Sequence, residues 1–275
     1  MADRCPNLSF WGYVMAISFQ ILASGSKGNA IVVSSSRTRI LIDAGLTGKE
    51  LHRRMQLADI GATEIQGVVV THEHQDHVRG AGVFSRRYEL PVYLTQGTLD
   101  NLPQQVGTLA CPRVFRSGYS FHIGDLSVTP FAISHDANDP VGLTIENDGC
   151  KLGICTDLGV ATQLVRKKLE GCQAMVLEAN HDVDLLLDGP YPWHLKQRIR
   201  SRHGHLSNAD SCELLKALLH DQLQVVALAH LSETNNRPEL VRETFRGFCQ
   251  ESRWREIRFE VGQQHTIGSA MDVGL

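Results

Sequence analysis

Residues 71–77 read THEHQDH and bring three histidines and two acidic residues together directly behind the apolar run 68–70. Without a cation, so many polar groups at the end of a buried strand would compete for hydrogen bonds and contribute little stability. A bound metal ion would satisfy them. The segment is therefore predicted to bind metal.

The spacing within this segment suggests two metal ions. His72 and His74 are two residues apart, so in extended backbone they project to the same side and can share one ion, while Asp76 and His77 in the following turn reach a second. Imidazole and carboxylate ligands without thiolate suit Zn²⁺, Mn²⁺ or iron and do not choose among them. Two such ions about 3.5 to 4 Å apart would lower the pKa of a shared water molecule, which points to hydrolysis.

Further candidate ligands follow other apolar segments of strand length. The apolar segments FAI, LGIC, AMVLEAN and QVVALA are followed by SHD, TD, HD and HLS, respectively. This order places four candidate ligands at strand ends: His135, Asp157, His181 and His230. Strand ends at one edge of a sandwich lie side by side, so these side chains are expected to converge. His135 can then complete the first site and His230 the second, with the Asp157 carboxylate bridging both.

Ordinary structural roles compete with ligation at these positions. Taken alone, His135 is typical of a turn residue, and Asp157 would be a helix N-cap before LGVATQLV. The THEHQDH cluster is what favours ligation for the other strand-end residues. An ordinary structural role is predicted for the remaining isolated histidines, His52, His122, His220 and His265.

The elements that must position these residues can be placed from the apolar pattern. The Gly-rich turn at 24–30, followed by IVVS and RTRILIDAG, predicts a hairpin that closes near Asp43. SGSKGN lacks the spacing of a phosphate-binding loop and is interpreted as a tight turn beside the site. Helical periodicity predicts four amphipathic helices, at 49–60, 161–171, 208–221 and 237–251, with Asn208 as the cap of the third.

Composition limits the class of protein. The chain has 275 residues, 42% of them apolar and 21% charged, with a net charge of −3, which excludes disordered and collagen-like proteins. The slightly acidic total argues against a general polyanion-binding surface but leaves room for a local basic groove. The seven cysteines are scattered and never spaced CxxC, as expected for reduced thiols in a cytoplasmic protein.

The N-terminal stretch LSFWGYVMAISFQILAS is apolar enough to suggest a signal peptide or membrane anchor. It lacks a basic leading region, and Ser18 and Gln20 interrupt the run, so a strand is favoured. The regular pattern begins at Met15, so residues 1–14 are predicted to be a non-native or disordered extension and 15–275 one domain. No other segment could span a membrane.

HxHxDH at 72–77, together with GSKGN and LIDAG, resembles the metallo-β-lactamase superfamily. The strings LASGSKGNA, SHDANDP, TDLG, LEANHD, GPYPWHLKQRI, GHLSN and AHLSETNN resemble more specifically its YycJ-type (WalJ) branch of exonuclease-like phosphodiesterases, over residues 15 to about 240. The resemblance implies an α/β fold, an αββα sandwich of two central mixed β-sheets flanked by helices. It also implies a centre of two divalent metal ions whose bridging hydroxide attacks a phosphodiester.

Transferred onto this sequence, the family's ligand positions fall on His72, His74 and His135 for one metal and Asp76, His77 and His230 for the other. The resemblance makes Asp157 the bridging ligand and gives Asp76 a catalytic role besides ligation. His205 in GHLSN matches the histidine that phosphodiesterases of this fold keep near the leaving group, and is the candidate proton donor. His181 has three open roles: orienting a ligand, lining the pocket or entering the metal shell.

A basic and aromatic segment is the candidate substrate surface. Between residues 188 and 205, Tyr191 and Trp193 precede Lys196 and Arg198, a pattern that suits base stacking and phosphate contact. A solvated basic helix with a packed tryptophan fits the residues equally well, and the resemblance favours nucleic acid. The pairs at 86–87 (Arg–Arg) and 167–168 (Lys–Lys) are possible extensions of this surface.

The predicted function is a metal-dependent phosphodiesterase, acting on DNA as a 5'–3' exonuclease. The alternatives are a small-molecule hydrolase of the same fold, such as a glyoxalase II-like thioesterase or a lactonase, and a cyclic-phosphate or nucleotide phosphodiesterase. Flavodiiron chemistry is disfavoured because those relatives carry Glu where this chain has His74.

Overall fold

The architecture was examined in a computed structural model, which describes residues 15–249 and 256–274. The predicted extension at residues 1–14 lies outside the described residues. Two seven-stranded sheets face each other. In spatial order, the strands of the first sheet are β14 (Met271–Gly274), β1 (Met15–Ala23), β2 (Ala30–Ser34), β3 (Arg39–Ile42), β4 (Val68–Val69), β5 (Pro91–Thr95) and β6 (Cys111–Phe115).

The second sheet holds most of the predicted strand-end ligands. In spatial order, its strands are β13 (Arg258–Val261), β12 (Val225–Ala229), β11 (Ala174–Glu178), β10 (Cys150–Cys155), β9 (Val141–Asn147), β8 (Leu126–Ala132) and β7 (Phe121–Ile123). Both sheets mix parallel and antiparallel pairs: β2 and β3 form the predicted antiparallel hairpin, whereas β10, β11 and β12 run parallel.

The core lies between the sheets, because strands alternate their side chains and each sheet turns one apolar face inward. Ile17, Val33 and Ile42 of the first sheet and Leu143 and Val176 of the second belong to one cluster and are at most 1% exposed. This burial of apolar area stabilises the pairing of the sheets and fixes which strand ends share an edge.

Helices cover both outer faces. The helices within the described residues are α1 (Gly48–Leu57), α2 (Gln75–Val78), α3 (Ala81–Tyr88), α4 (Gln96–Asp100), α5 (Gln163–Leu169), α6 (Val183–Asp188), α7 (Trp193–Ile199), α8 (Asn208–Leu218) and α9 (Pro238–Cys249). Leu51 of α1 and Phe84 of α3 pack in the cluster outside the first sheet. Leu215 of α8 and Phe245 of α9 do so outside the second. The predicted αββα sandwich is confirmed.

The four predicted helices correspond to α1, α5, α8 and α9, with bounds a few residues shorter where described. The predicted cap of α8 was wrong. Ser207 is the N-cap, its Oγ accepting from the Asp210 N–H, and Asn208 is the first helical residue. The Asn208 amide is instead buried in a reciprocal pair of hydrogen bonds with Asn236, a contact between residues 28 apart.

The directions of the strands bring the ligands to one edge. The β10, β11 and β12 strands are parallel, and β8 runs in the same direction as β10 because both are antiparallel to β9. The carboxyl ends of all four therefore lie at the same edge of the second sheet. No helix in the described part of the chain is long and apolar enough to cross a membrane.

Candidate metal centre

The THEHQDH loop is held by the two glycine-containing turns that precede it in the sequence. Asn29 donates its backbone N–H to the carbonyl of Asp76 at 2.8 Å, and Ala44 donates to the carbonyl of His77 at 2.7 Å. Position 45 must be glycine, since a Cβ there would lie 1.6 Å from the Asp76 carbonyl oxygen. The predicted tight turn thus supports the loop through backbone contacts.

The first ligand group contains His72, His74 and His135. One ring nitrogen from each lies within 4.8 Å of the others. Nε2 of His135 is 3.3 Å from Nδ1 of His74, across 61 residues of sequence. The structure therefore brings together the three residues predicted for one metal.

A second ligand group contains Asp76, His77 and His230. Oδ2 of Asp76 is 3.4 Å from Nε2 of His230 and 3.5 Å from Nε2 of His77. Asp157 lies between the two groups, with Oδ2 at 3.2 Å from Nε2 of His77 and Oδ1 at 3.9 Å from Nε2 of His135. This placement is what a bridging carboxylate requires.

Two unpartnered buried atoms test whether these residues fit a metal. Nε2 of His72 and Oδ2 of Asp157 are buried and make no hydrogen bond, although Oδ2 of Asp157 lies 3.2 Å from Nε2 of His77. Buried polar atoms are nearly always partnered, so atoms left without a partner and turned toward a shared centre fit a bound cation. The donor set of imidazoles and carboxylates suits a divalent ion.

The electrostatics of the centre favour positive charge. Burial opposes the charged imidazole, yet Asp157 and neighbouring carboxylates raise the pKa of His77 well above its usual value and that of His230 to about 10. Burial likewise opposes ionisation of Asp157, but His230 and His77 hold its pKa well below the usual value. A divalent cation would supply this positive charge to neutral imidazoles and ionised carboxylates.

Asp43 supports the second ligand group and was not identified from the sequence. Its Oδ2 accepts from Nδ1 of His77 at 2.7 Å, while Thr71 donates to Oδ1 from its backbone N–H at 2.8 Å. Such a carboxylate fixes the orientation of a ligating imidazole and leaves Nε2 toward the metal. Its position in LIDAG, directly after an apolar strand, is the feature of the sequence that indicates such a role. This stretch was interpreted only as the end of a hairpin beside a glycine turn.

Glu178 is the second supporting carboxylate that sequence reasoning missed. Its Oε1 accepts from Nδ1 of His205 at 2.8 Å and from Nδ1 of His230 at 2.9 Å. Its Oε2 accepts from the N–H groups of Leu158 and Leu206. Burial opposes the charge of Glu178, but His205 and His230 lower its pKa to about 2. Glu178 is the last residue of β11, whereas the pattern of polar residues after apolar segments consisted of histidine and aspartate and so did not include it.

His205 lies beside both ligand groups. Its ring centroid is 5.1 Å from that of His135 and 5.2 Å from that of His230. Burial disfavours the imidazolium, but the Glu178 carboxylate offsets this and raises the pKa of His205. Since Nδ1 is bound to Glu178, Nε2 is the nitrogen left for the adjacent cavity of about 230 Å³, which His205 helps to line.

His181 is buried and belongs to neither ligand group among the described residues. Its carbonyl accepts from the Asn208 N–H, its backbone forms a bridge to Ser207, and burial lowers its pKa to about 4. The backbone of His181 is thus joined to residues 207–208, while its Nδ1 is buried without a hydrogen-bond partner, so its predicted roles in orienting a ligand, lining the pocket or binding metal stay open. The isolated histidines at 52, 220 and 265 contact Tyr88, the Cys172 carbonyl and Glu233 respectively, as expected for structural roles.

The predicted substrate residues divide into two sets. Tyr191 and Arg198 line the cavity together with His205, and Trp193 is 61% exposed at the start of α7. Lys196 points the other way: it is 8% exposed, and its Nζ donates to the carbonyls of Leu187 and Gly189 at 2.5 and 2.7 Å. The expected phosphate contact of Lys196 is thus corrected to a structural contact, because its ammonium is already bound.

Arg198 is not a free cation in this cavity. Its Nε donates to Oδ2 of Asp136 at 2.6 Å, and Nη2 contacts the same oxygen. One residue of each predicted extension also has a partner: Arg86 donates to the carbonyls of Val106 and Thr108, and Lys167 pairs with Glu170. Arg198, Arg86 and Lys167 therefore already have partners within the protein.

Comparison with known proteins agrees with this architecture. Residues 38–230 match the family model described as the beta-lactamase superfamily domain. The chain is 37% identical over 230 residues to the exodeoxyribonuclease YycJ of Bacillus anthracis, covering 83% of this chain and 87% of that protein. It is 33% identical over 234 residues to the exodeoxyribonuclease WalJ of Streptococcus pneumoniae, covering 84% and 87% of the two chains.

Solved structures share the fold. The metallo-beta-lactamase fold protein YhfI from Bacillus subtilis superposes with a TM-score of 0.70 at 13% identity, over 93% of this chain and 98% of that one. Zn²⁺-bound PqqB from Methylobacterium extorquens superposes with a TM-score of 0.70 at 18% identity, over 93% and 99%. At this level of identity the likeness concerns the fold alone.

Proposed function

Because this chain belongs to the beta-lactamase superfamily, we propose that it is a dinuclear metal-dependent phosphodiesterase that acts on DNA as a 5'–3' exonuclease. Metal-dependent hydrolysis follows from the family and from the exodeoxyribonuclease relatives. The observation that carries the proposal is the position of the Asp157 carboxylate between the two ligand groups. His205, hydrogen-bonded to the buried Glu178, lies beside both groups.

In this proposal His72, His74 and His135 hold one divalent ion and Asp76, His77 and His230 the other, with Asp157 shared. Zn²⁺ and Mn²⁺ both suit these ligands, and iron is possible. When bound, the two ions supply a nucleophile from water at neutral pH and neutralise charge on the phosphoryl oxygens. Asp43 and Glu178 accept from Nδ1 of His77 and His230 and would so leave Nε2 of each imidazole free to hold a metal ion.

His205 is the proposed proton donor to the departing oxygen. Glu178 accepts from Nδ1 of His205 and stabilises the protonated ring, so that Nε2 can release a proton into the cavity. Oδ1 of Asp157 lies 3.8 Å from Nδ1 of His205, which places this proton donor close to the ligand groups. General acid catalysis of this kind protonates the leaving group as the bond to phosphorus breaks.

The cavity beside His205 is the proposed place of the leaving nucleoside. Tyr191 offers an aromatic face and Ser26 and Asn180 offer polar groups in its lining. Trp193, exposed nearby on α7, is available for stacking on a neighbouring base. DNA is therefore the proposed substrate. Base stacking on the aromatic side chains is proposed to contribute more to its binding than a continuous row of basic residues.

A small-molecule substrate is the second candidate. The cavity volume of about 230 Å³ is below the range of about 300 to 1,000 Å³ typical of ligand pockets, which favours a small leaving group. A cyclic-phosphate or nucleotide phosphodiesterase keeps the same chemistry. A thioesterase would use the ligand groups without needing His205 as a donor, because a thiolate leaves without protonation, whereas a lactonase releases an alkoxide oxygen and would still use the donor.

Three substrates separate these functions. Purified protein loaded with Mn²⁺ or Zn²⁺ is assayed on end-labelled duplex DNA, on bis-p-nitrophenyl phosphate and on S-lactoylglutathione. We expect release of mononucleotides from the 5' end and hydrolysis of bis-p-nitrophenyl phosphate. An enzyme that hydrolyses the thioester but neither phosphodiester would refute the proposal, and one that cleaves only bis-p-nitrophenyl phosphate would favour the second candidate.

A further inference from the structure

Glu73, between the two first histidines of THEHQDH, has a place in the centre that ligand chemistry does not explain. It is 7% exposed, and residues that alternate along an extended segment point to opposite sides, so it faces away from His72 and His74. A buried carboxylate is costly unless it is bound. Oε2 of Glu73 has no hydrogen-bond partner among the described residues, so the partner of Oε1 indicates the role of this side chain.

The partner of Glu73 lies in the loop that carries His135. Oε1 accepts from the backbone N–H of Asn138 at 2.8 Å and from the Asn138 side-chain Nδ2 at 2.6 Å. Asn138 is three residues after His135 and 65 residues from Glu73. The carboxylate thus joins the loop that supplies two imidazoles of the first group to the loop that supplies the third.

The His135 loop also forms hydrogen bonds with residues 202–204, which directly precede His205. Ser134 Oγ donates to the carbonyl of Arg202 at 2.7 Å, and Nδ1 of His135 donates to the carbonyl of Gly204 at 3.2 Å. These contacts orient the His135 ring. Two further contacts join its loop to the segment that carries His72 and His74: the Thr71 carbonyl accepts from the Val141 N–H at 3.1 Å, and Glu73 accepts from Asn138, which is nearer to His135 in the sequence.

We propose that Glu73 is a positioning residue that fixes His135 against His72 and His74 and so sets the metal affinity of the three-histidine group. The inference rests on the proposed function, in which that group binds a metal. The second group, Asp76, His77 and His230, is supported by Asp43 and Glu178 and does not depend on Glu73.

The test measures stepwise metal affinity, independently of catalysis. Wild type and Glu73→Ala are titrated with Zn²⁺ in competition with a chromophoric chelator, and bound metal per chain is counted. We expect wild type to bind two ions, and Glu73→Ala to bind one of them about 10- to 100-fold more weakly, the range seen for residues that support metal ligands. The affinity for the other ion should stay unchanged.

Two further variants separate positioning from charge and from folding. Glu73→Gln keeps an oxygen acceptor for Asn138 and should stay within about 3-fold of wild type, since it retains the contact that positions the loop. Asn138→Ala changes an exposed residue and leaves the backbone N–H in place. It should therefore weaken the binding of the same ion by a smaller factor than Glu73→Ala does. Glu213→Ala, an exposed glutamate on α8, is the matched control and should bind both ions as wild type does.

Unchanged affinities in Glu73→Ala, equal loss of both ions, or a Glu73→Gln variant as weak as Glu73→Ala would overturn this inference alone. A wild-type chain that binds no divalent metal would overturn the proposed function as well. The two failures are therefore distinguishable in the same titration.

Discussion

Three residues at the metal centre, Asp43, Asp157 and His230, occupy backbone conformations that residues other than glycine rarely adopt. Their φ angles are 57°, 55° and 57°. Each follows a strand, and the left-handed turn redirects its side chain from the strand axis into the centre. Such conformations persist where the surroundings enforce them, and here hydrogen bonds at the strand ends do so.

Replacement of His205 tests the proton donor. His205→Ala should bind metal as wild type does and lose about 10²- to 10⁴-fold in kcat, because the departing oxygen loses its general acid. Steady-state kinetics on DNA and metal analysis of the same preparation measure both quantities. Asp157→Ala is the comparison variant, and its metal occupancy should fall. Normal loading of Asp157→Ala would contradict the bridging role.

At the scale of elements, α1 is fastened to the first sheet by a buried guanidinium. Arg54 is 5% exposed and donates from Nη1 to the carbonyls of Leu22 and Gln264 at 2.9 and 2.7 Å. Glu50, one turn earlier, accepts from Nε of Arg54 at 2.8 Å and also pairs with Arg53. The pattern of apolar residues predicted the helix, but this anchor depends on the packing of the C-terminal segment.

The pH dependence of stability tests this anchor. Hydrogen bonds from Arg53, opposed by burial and aided by Arg54, lower the pKa of Glu50 from 4.5 to about 2. Because the pKa of Glu50 is higher in the unfolded chain, the unfolded state binds the proton first as the pH falls. The stabilisation of the folded state by ionised Glu50 is therefore complete above about pH 4.5 and disappears toward pH 2. Glu50→Gln should therefore be destabilised near neutral pH by at most about 1 kcal/mol, because the pair is partly exposed.

Urea unfolding of wild type and Glu50→Gln at several pH values between 6 and 2.5 measures this difference. It should shrink steadily as the pH falls through that window. A difference in free energy of unfolding that stays constant with pH would show that the charge of Glu50 does not contribute to stability through Arg53 and Arg54.

At the scale of the whole molecule, the centre joins the two sheets. His72, His74, Asp76 and His77 follow β4 of the first sheet, whereas His135, Asp157 and His230 follow strands of the second. A metal ion bound across this edge would link halves that otherwise associate through the apolar core. Binding to the folded state alone stabilises it in proportion to the logarithm of the metal concentration.

Metal removal should therefore lower stability. With free Zn²⁺ at 100 times its Kd, the free energy of unfolding should exceed that of the chelator-treated protein by about 2.7 kcal/mol for each site that binds only the folded chain. Denaturant unfolding with and without chelator measures the difference. Asp157→Ala should show a smaller gain, and an equal gain in that variant would place the stabilising metal elsewhere.

The sequence by itself determined the elements that depend on neighbours in the chain. The helical periodicities and the apolar runs are local patterns, and they predicted the four helices and the hairpin that the structure contains. The αββα sandwich was implied by the family resemblance, and the structure confirms it. The metal ligands at His135, Asp157 and His230 remain predictions, now supported by their convergence with the loop.

Only the tertiary structure decided the contacts between distant segments. The roles of Asp43, Glu178 and Glu73 depend on partners 27 to 65 residues away, and the inward turn of Lys196 depends on the path of the preceding loop. Spacing in a sequence sets the direction of a side chain relative to its own element. The order and packing of the sheets set what that side chain meets, and no local pattern encodes them.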